Sequence, residues 1–261
     1  MSIAVTDEQR VLEITLNRPD KRNALSASMC QEIVKAVQSA QKRKDIGAIL
    51  IGSAGRAFCA GMDLDEAAGM EEDSLAALHE DLFTMGAGSL KPIVMCVNGP
   101  ALGGGLGLVA QGHVVVAGDG STFGLPEIRL GLWPFLVYRA VETALGVRRT
   151  LEMSLTGRVI HAQDALNWGM AHYLYPNAEA GEKAKALARE IAKASPVAVA
   201  AGMQYRRNSR GKSWEESGQL AKELRQAVMQ GADFKEGYDA FKQKREPRWP
   251  EIPPDFYTRA E

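Results

Sequence analysis

Residues 98–112 read NGPALGGGLGLVAQG and place six glycines in fifteen positions, flanked by the apolar runs KPIVMCVNG (91–99) and HVVVAGD (113–119). So many glycines remove side chains that a fold would ordinarily pack, which means that some group must approach bare backbone here. A phosphate, a neighbouring helix and a developing oxyanion are the three candidates. The nucleotide-binding patterns do not fit. A Rossmann fingerprint needs glycine where Leu108 stands, and no GK[ST] follows the glycines as a P-loop requires.

The apolar runs around this segment indicate an α/β protein. GAILIGSA (47–54) and the two flanking runs suit strands that are covered on both faces, and VLEITL (11–16) alternates like a half-buried strand. Helical patterns lie between the runs, from about Ser26 to Lys44 and near 63–70, 74–85 and 104–111. Strands that alternate with helices predict a layered α/β core.

After about residue 130 helical patterns dominate. They cover 136–155, 163–168, 179–194, 196–208, 213–230 and 234–245, with AHYLY (171–175) as one short strand. The proline-rich tail REPRWPEIPPDFYTRAE (245–261) is typical of irregular structure. We therefore predict a core over residues 1–195 and a helical C-terminal region over residues 196–261.

Charge and cysteine content narrow the classes of function. The 261 residues carry a net charge of −1, so no overall field attracts nucleic acid or an anionic membrane. Cys30, Cys59 and Cys96 are isolated, without CxxC or Cys/His spacing, which predicts neither disulfides nor a metal site. The first twenty residues lack a signal-peptide pattern, and no apolar run approaches a membrane span, so we expect a cytoplasmic protein.

A second strand–loop–helix junction, GRAFCAGMDLDE (55–66), resembles the first in layout. Each junction leaves backbone N–H groups without partners at the start of a helix. Two such N–H groups that converge on one point form an oxyanion hole, which stabilises charge developing on a carbonyl oxygen. Small residues suit this role because the carbonyl must reach the main chain. The spacing alone leaves the convergence of the two loops open.

Four motifs resemble those of the crotonase superfamily, the enoyl-CoA hydratases and isomerases, in the family's order: LNRPDKRNAL (16–25), AFCAGMDL (57–64), NGPALGGGLGL (98–108) and FGLPEIRLG (123–131). The resemblance covers about residues 10–246. It implies a spiral of ββα turns and C-terminal helices that assemble trimers or hexamers. It also implies an acyl-CoA thioester as substrate, no cofactor beyond that coenzyme A, and oxyanion donors at the amides of Met62 and Gly104.

Glu127 is the candidate acid/base group. Its neighbours in GLPEIRLG are apolar, and a desolvated carboxyl has a raised pKa that suits proton transfer. The resemblance implies a catalytic glutamate at this position. Two-glutamate hydratases of the family carry the other glutamate where this chain has Gly107, and hydration needs two carboxyls to hold its water. One glutamate can still move a proton along an enoyl chain, which favours Δ3-Δ2 enoyl-CoA isomerisation over hydration.

The resemblance also implies contacts to the substrate. Arg18, Lys21 and Arg22 lie where the family receives the nucleotide, and Phe241 and Lys244 match C-terminal residues that reach the coenzyme A of a neighbouring subunit. Trp133 and Phe135 are bulky where many members have glycines, which predicts either a reshaped acyl pocket or a repacked core. Asp63 is in addition a candidate helix cap. The remaining predicted binding residues are Ala24, Ala60, Gly61, Leu64 and Gly103.

Other reactions on the same scaffold stay open. Hydration, thioester hydrolysis and decarboxylation use the same oxyanion hole, and a non-catalytic acyl-CoA-binding oligomer would keep the motifs without turnover. Phe135 stands where dienoyl isomerases of the family carry an aspartate, and Met62 where family decarboxylases can place a histidine, so these two reactions lack support. The four histidines show no ligand spacing and favour surface or capping roles.

Overall fold

The three apolar runs form adjacent parallel strands of a six-stranded sheet in the computed structural model, which describes residues 1–250. Its strands are β1 (Ile3–Glu8), β2 (Val11–Leu16), β3 (Ala48–Ser53), β4 (Ile93–Val97), β6 (Val114–Gly118) and β9 (Tyr173–Tyr175). Their order in the sheet is β1-β2-β3-β4-β6-β9, with β1 antiparallel to β2 and the other pairs parallel.

A second, three-stranded sheet has the order β5-β7-β8. Its strands are β5 (Pro100–Leu102), β7 (Thr122–Gly124) and β8 (Val159–His161). The strand β4 is followed directly by β5, and β6 is followed by β7, so successive turns of the chain add one strand to each sheet and then a helix. This arrangement confirms the predicted spiral of ββα turns.

Helices fill the spaces that the sequence predicted, with one difference. The predicted helix 136–155 is two helices, because Gly146 between them has a φ of +75° that a continuous helix excludes. The helices are α1 (Ala27–Lys42), α2 (Leu64–Ala67), α3 (Glu72–Gly88), α4 (Gly104–Val109), α5 (Phe135–Leu145), α6 (Val147–Thr156), α7 (Ala162–Trp168), α8 (Asn177–Ala192), α9 (Pro196–Asn208), α10 (Trp214–Gln230) and α11 (Ala232–Gln243).

Both faces of the large sheet are covered, which explains its continuous apolar strands. On one face α8 presents Ala180, Ala184, Ala188 and Ala192, four residues apart, to the strands. These small side chains let the helix approach closely: a Cβ on Gly47 would lie 2.7 Å from the carbonyl oxygen of Ala192. The larger core packs on the other face, beneath α1, α3, α4 and α5.

The C-terminal helices begin at Pro196, where Ser195 Oγ accepts a hydrogen bond from the Ala198 amide, as predicted for the cap. Ser195 Oγ also donates to Asp233 at 2.6 Å, which ties α11 to the start of α9. Residues 246–250 have no regular structure, as predicted, and the rest of the tail, 251–261, lies outside the described residues. The role of residues 196–261 in trimers stays a prediction. Within residues 1–250, every helix is too short or too polar to cross a membrane.

Candidate active site

The two glycine-containing loops converge. Cys59 donates its amide to Pro100 and accepts from the amide of Leu102, with both N···O distances at 3.0 Å, so residues around 59 and 101 pair like neighbouring strands. On the other side, Leu25 and Met62 form a parallel bridge. These contacts place the end of the 55–63 loop beside the first residue of α4, which the sequence alone could not show.

The amides of Met62 and Gly104 are the free backbone donors at this junction. Neither N–H has an acceptor within residues 1–250. A Cβ on Gly104 would lie 3.7 Å from Met62 N, and one on Gly61 would lie 3.5 Å from Gly104 N, so the two nitrogens are close neighbours. Gly61 (φ +99°) and Gly103 (φ +53°) adopt backbone conformations that L side chains disfavour. The two amides therefore border one space, as an oxyanion hole requires.

Two further glycines of α4, Gly105 and Gly107, lie where the chain packs too closely for a side chain. A Cβ on Gly105 would stand 2.3 Å from the carbonyl oxygen of Cys59, so the two loops could not meet. A Cβ on Gly107 would stand 2.9 Å from the ring of Phe83 and 3.1 Å from Val137. The Phe83 ring, which is 5% exposed, thus packs against the bare backbone of Gly107.

Glu127 lies on a 3₁₀ turn, Pro126–Leu130, that follows β7. Its carboxyl reaches the start of α4, because a Cβ on Gly103 would lie 2.9 Å from Glu127 Oε1. The other oxygen, Oε2, is buried and has no hydrogen-bond partner within the described chain. Burial raises the pKa of Glu127 above its ordinary value, and the Glu127 backbone amide opposes this shift more weakly. A carboxyl with a raised pKa and a free oxygen is suited to exchanging protons with a ligand.

A cavity of about 260 Å³ joins these groups. Nine predicted site residues line it: Ala60, Gly61, Met62, Leu64, Gly103, Gly104, Glu127, Trp133 and Phe135. Phe135 is 73% exposed, which favours the reshaped pocket over the repacked core at this position. Trp133 is half-buried and packs against Tyr138, with ring centroids 5.8 Å apart. The lining is mostly apolar and suits an acyl chain.

The remaining predicted binding residues lie outside this lining. Arg18 pairs with Asp63 at 2.9 Å and donates to the carbonyl oxygen of Ala24 at 2.7 Å, which holds the 16–25 segment against the oxyanion loop. The hydrogen bond from Arg18 is the main cause of the lowered pKa of Asp63. Asp63 occupies the N-cap position of α2, as predicted, and the Glu66 backbone amide contributes to its lowered pKa, although no full cap hydrogen bond forms.

Four basic and aromatic residues predicted to contact coenzyme A are at the surface. Lys21 forms an exposed ion pair with Asp65 at 3.4 Å, and Arg22 is exposed next to it. Phe241 is 80% exposed near the end of α11, and Lys244 follows that helix with a φ of +52°. Their contacts to coenzyme A stay predictions.

Helix α3 also contributes to the site, which the sequence did not reveal. Glu72, Leu75, Ala76, His79 and Phe83 line the cavity. Their spacing of three and four residues is that of one helical face, so the signal was present but did not reveal what the face covers. His79 packs against Phe83, with ring centroids 5.6 Å apart, and burial lowers its pKa. It is not the surface or capping residue that we expected.

Among residues 1–250 there is neither a reactive thiol nor a cluster of metal-binding side chains. Burial raises the pKa of Cys30 and of Cys59 to about 12 and that of Cys96 to about 11, so all three stay protonated near neutral pH. Within residues 1–250 there is no group of three or more His, Cys, Asp or Glu side chains that could hold a metal ion.

Comparisons with known proteins agree with this geometry. Residues 6–252 match the model of a family described as enoyl-CoA hydratase/isomerase. The chain is 35% identical to the 2,3-dehydroadipyl-CoA hydratase of Escherichia coli, over 94% of this chain and 97% of that one. It is also 35% identical to the carnitinyl-CoA dehydratase of Proteus mirabilis, over 95% and 98%. The crystal structure of an enoyl-CoA hydratase from Bacillus anthracis superposes with a TM-score of 0.90 at 29% identity, covering 97% of this chain and 100% of that one.

Proposed function

The chain belongs to the enoyl-CoA hydratase/isomerase family, and on this premise we propose that it is a Δ3-Δ2 enoyl-CoA isomerase with Glu127 as its single acid/base group. The observation that carries the proposal is the glycine at position 107, where the resemblance places the other glutamate of two-glutamate hydratases. The bare backbone of Gly107 packs against Phe83 and Val137, which an added Cβ would approach to 2.9 and 3.1 Å, so α4 supplies no second carboxyl to hold a water. One carboxyl is sufficient for isomerisation.

The proposed reaction starts with the thioester oxygen between the amides of Met62 and Gly104. Glu127 removes a proton from the α-carbon, and the electron pair moves to the oxygen as an enolate, which the two N–H groups stabilise. Protonated Glu127 then returns the same proton to the γ-carbon while the double bond moves into conjugation with the carbonyl. No water or cofactor is consumed, and the carboxylate is regenerated.

The test follows the conversion of 3-hexenoyl-CoA into the conjugated 2-hexenoyl-CoA by the purified protein. Glu127→Gln keeps the shape of the side chain but removes the base, and we expect a fall in kcat of about 10²–10⁴-fold. Glu215→Gln, at an exposed site on α10, is the matched control and should leave kcat unchanged. Turnover that survives Glu127→Gln would rule out the assigned role of this residue.

Hydration of a 2-enoyl-CoA is the second candidate. The relatives reported above are named as hydratases or a dehydratase, and Glu72 and His79 are further titratable groups in the cavity lining. Loss of the conjugated absorbance of crotonyl-CoA measures this reaction. Hydration faster than isomerisation, and sensitive to His79→Gln, would replace the isomerase proposal with a hydratase in which His79 takes the part of the second carboxyl.

Acyl-CoA binding without turnover, hydrolysis and decarboxylation complete the screen. Release of free thiol reports thioester hydrolysis, and bound acyl-CoA that returns unchanged would favour a non-catalytic protein.

Size-exclusion chromatography with light scattering tests the proposed homotrimer or hexamer. Mixing variants that lack Glu127 with variants that lack Lys244 tests whether that lysine serves the site of a neighbouring subunit.

A further inference from the structure

A second cavity, of about 300 Å³, lies behind the active site. It is bordered by the second half of α3, the residues after α4, the middle of α5 and the end of α9. Phe83 is the one residue of the described chain that lines both cavities, so its ring separates them. Unlike the acyl pocket, the second cavity collects three arginines: Arg139, Arg206 and Arg210.

These arginines are only partly neutralised. Glu80, which also lines the cavity, is bonded to Arg139 at 2.6 Å. Arg206 and Arg210 form no ion pair within residues 1–250, which leaves an excess of two positive charges. Burial and the nearby charge of Arg210 lower the pKa of Arg206. A partly buried charge ordinarily has a partner of the opposite sign, and the half-buried Arg206 has none in the described chain, while the exposed Arg210 adds a second unpaired charge.

The guanidinium of Arg206 is also short of acceptors. Its Nη2 donates to the carbonyl oxygen of Gly86 at 2.9 Å, while its Nε is buried and has no partner in the described chain. His113 Nε2 lies 3.1 Å from Arg206 Nη2 but cannot accept a hydrogen bond from it, because this nitrogen carries the ring proton. His113 Nδ1 accepts the amide of Ile93 at 2.9 Å, so the proton of the neutral ring is on Nε2 and points to Gly86 O at 3.0 Å.

The N–H groups of His113 and Arg206 lie close together, and the charge state of His113 is fixed near neutral pH. Burial and the charge of Arg206 lower the pKa of His113 to about 4, so the ring stays neutral at pH 7. The amide nitrogen of Gln111 adds a further donor, because its oxygen is taken by the amide of Gly86 at 3.0 Å. The cavity therefore offers more N–H groups and positive charge than its acceptors, Gly86 O and the Glu80 carboxylate, can satisfy.

We propose that this cavity is a binding site for a small anion, a carboxylate- or phosphate-bearing molecule held by Arg206 and Arg210. A planar carboxylate or a phosphate would accept from Arg206 Nε and pair with both guanidinium charges. The proposal does not depend on the reaction at Glu127, because Phe83 separates the two sites. Inorganic phosphate and the dicarboxylate adipate represent the two ligand classes.

The experiment measures binding of phosphate and of adipate by isothermal titration calorimetry and thermal unfolding, against chloride at equal ionic strength. We expect saturable binding of at least one of the two ligands, and comparison of the two distinguishes a phosphate from a carboxylate site. Arg206→Gln should abolish the effect. Arg210→Gln, at an exposed residue without a bonded partner, should weaken binding about tenfold and decides the matter if Arg206→Gln does not fold.

Two controls make the outcome decisive. Arg225→Gln removes an exposed arginine from α10 and should bind like the wild type. Lys21→Gln should also bind like the wild type, which separates this cavity from the predicted contacts to the phosphates of coenzyme A. The proposal is overturned if both ligands stabilise the protein no more than chloride does, or if Arg225→Gln or Lys21→Gln weakens binding as much as Arg210→Gln.

Discussion

In each of the two cavities that meet at Phe83, one buried atom of a charged side chain has no hydrogen-bond partner within the described chain, and the two charges have opposite signs. Glu127 Oε2 is unpartnered in the first cavity, and Arg206 Nε is unpartnered in the second. Burial raises the pKa of the carboxyl and lowers that of the guanidinium. A carboxyl can relieve its desolvation by taking up a proton, which makes it a base tuned for chemistry. A guanidinium keeps its proton, so the second cavity needs a counter-anion.

Among the glycine replacements, the largest expected effect concerns the oxyanion side of the first cavity, whose role Glu127 cannot take over. Gly61→Ala places a methyl group 3.0 Å from the carbonyl oxygen of Leu102 at a φ of +99°, so the loop must shift and the Met62 amide must turn. We expect kcat to fall about 10²–10³-fold, as for the loss of one oxyanion donor.

The control for this change is Gly211→Ala, at a φ of +73° with no atom within 4 Å of the new methyl group. It carries similar backbone strain outside the cavity lining and should leave kcat unchanged. Steady-state kinetics with 3-hexenoyl-CoA compares the two variants. Equal losses of activity would mean that strain alone, and not the oxyanion amide, explains the effect of Gly61→Ala.

The wall between the cavities gives the next prediction. Gly107→Ala forces a methyl group to within 2.9 Å of the Phe83 ring, and we expect it to destabilise the protein by about 1–2 kcal/mol despite the helix preference of alanine. Gly181→Ala, in the interior of α8 with open space around the new Cβ, should stabilise by about 0.5–1 kcal/mol. Urea unfolding measures both. A stabilising Gly107→Ala would show that the Phe83 ring yields to the added methyl group.

Much of the scaffold around these cavities was predictable, because burial on both faces marks a strand as a continuous apolar run. This holds for β3, β4 and β6. The edge strand β1 was missed because only Ile3 of its six residues is buried, and β5, β7 and β8 were missed because three residues carry no periodic signal.

The site was predictable only where a motif carried it. Met62, Gly104 and Glu127 came from a resemblance of motifs, and their roles stay predictions. Their convergence depends on contacts between residues more than forty positions apart, such as Cys59 with Ala101, which no local pattern encodes. The residues of α3 that line the cavity have the spacing of one helical face in the sequence. A helical face with both polar and apolar residues is equally typical of a helix that packs on an ordinary core. The second cavity was missed because Arg206 and Arg210, at and just beyond the end of α9, face residues of α3 and α5 that are more than sixty positions away in the sequence.

The pH dependence of turnover tests the desolvation of Glu127. Its pKa is raised from an ordinary 4.5, and the base must be ionised to accept a proton. Activity should therefore fall as the pH is lowered through the raised pKa, and the acidic limb of kcat/KM should lie above pH 4.5. A profile for 3-hexenoyl-CoA with its acidic limb at or below 4.5 would contradict the burial of this carboxyl in the working enzyme.

The smallest expected effect is that of Glu127→Gln on stability. This substitution should lower turnover but raise the free energy of unfolding at neutral pH. Because the native pKa of Glu127 is raised above its unfolded value, the native state binds its proton more tightly, and stability is lost as the pH rises from 4.5 through the raised pKa. Because a glutamine side chain does not ionise, the Glu127→Gln protein does not lose stability in this way. Its free energy of unfolding should equal that of the wild type at pH 4 and exceed it at pH 8. Glu215→Gln should show no difference that changes with pH, and a Glu127→Gln protein less stable than the wild type at pH 8 would mean that the carboxylate has a native partner.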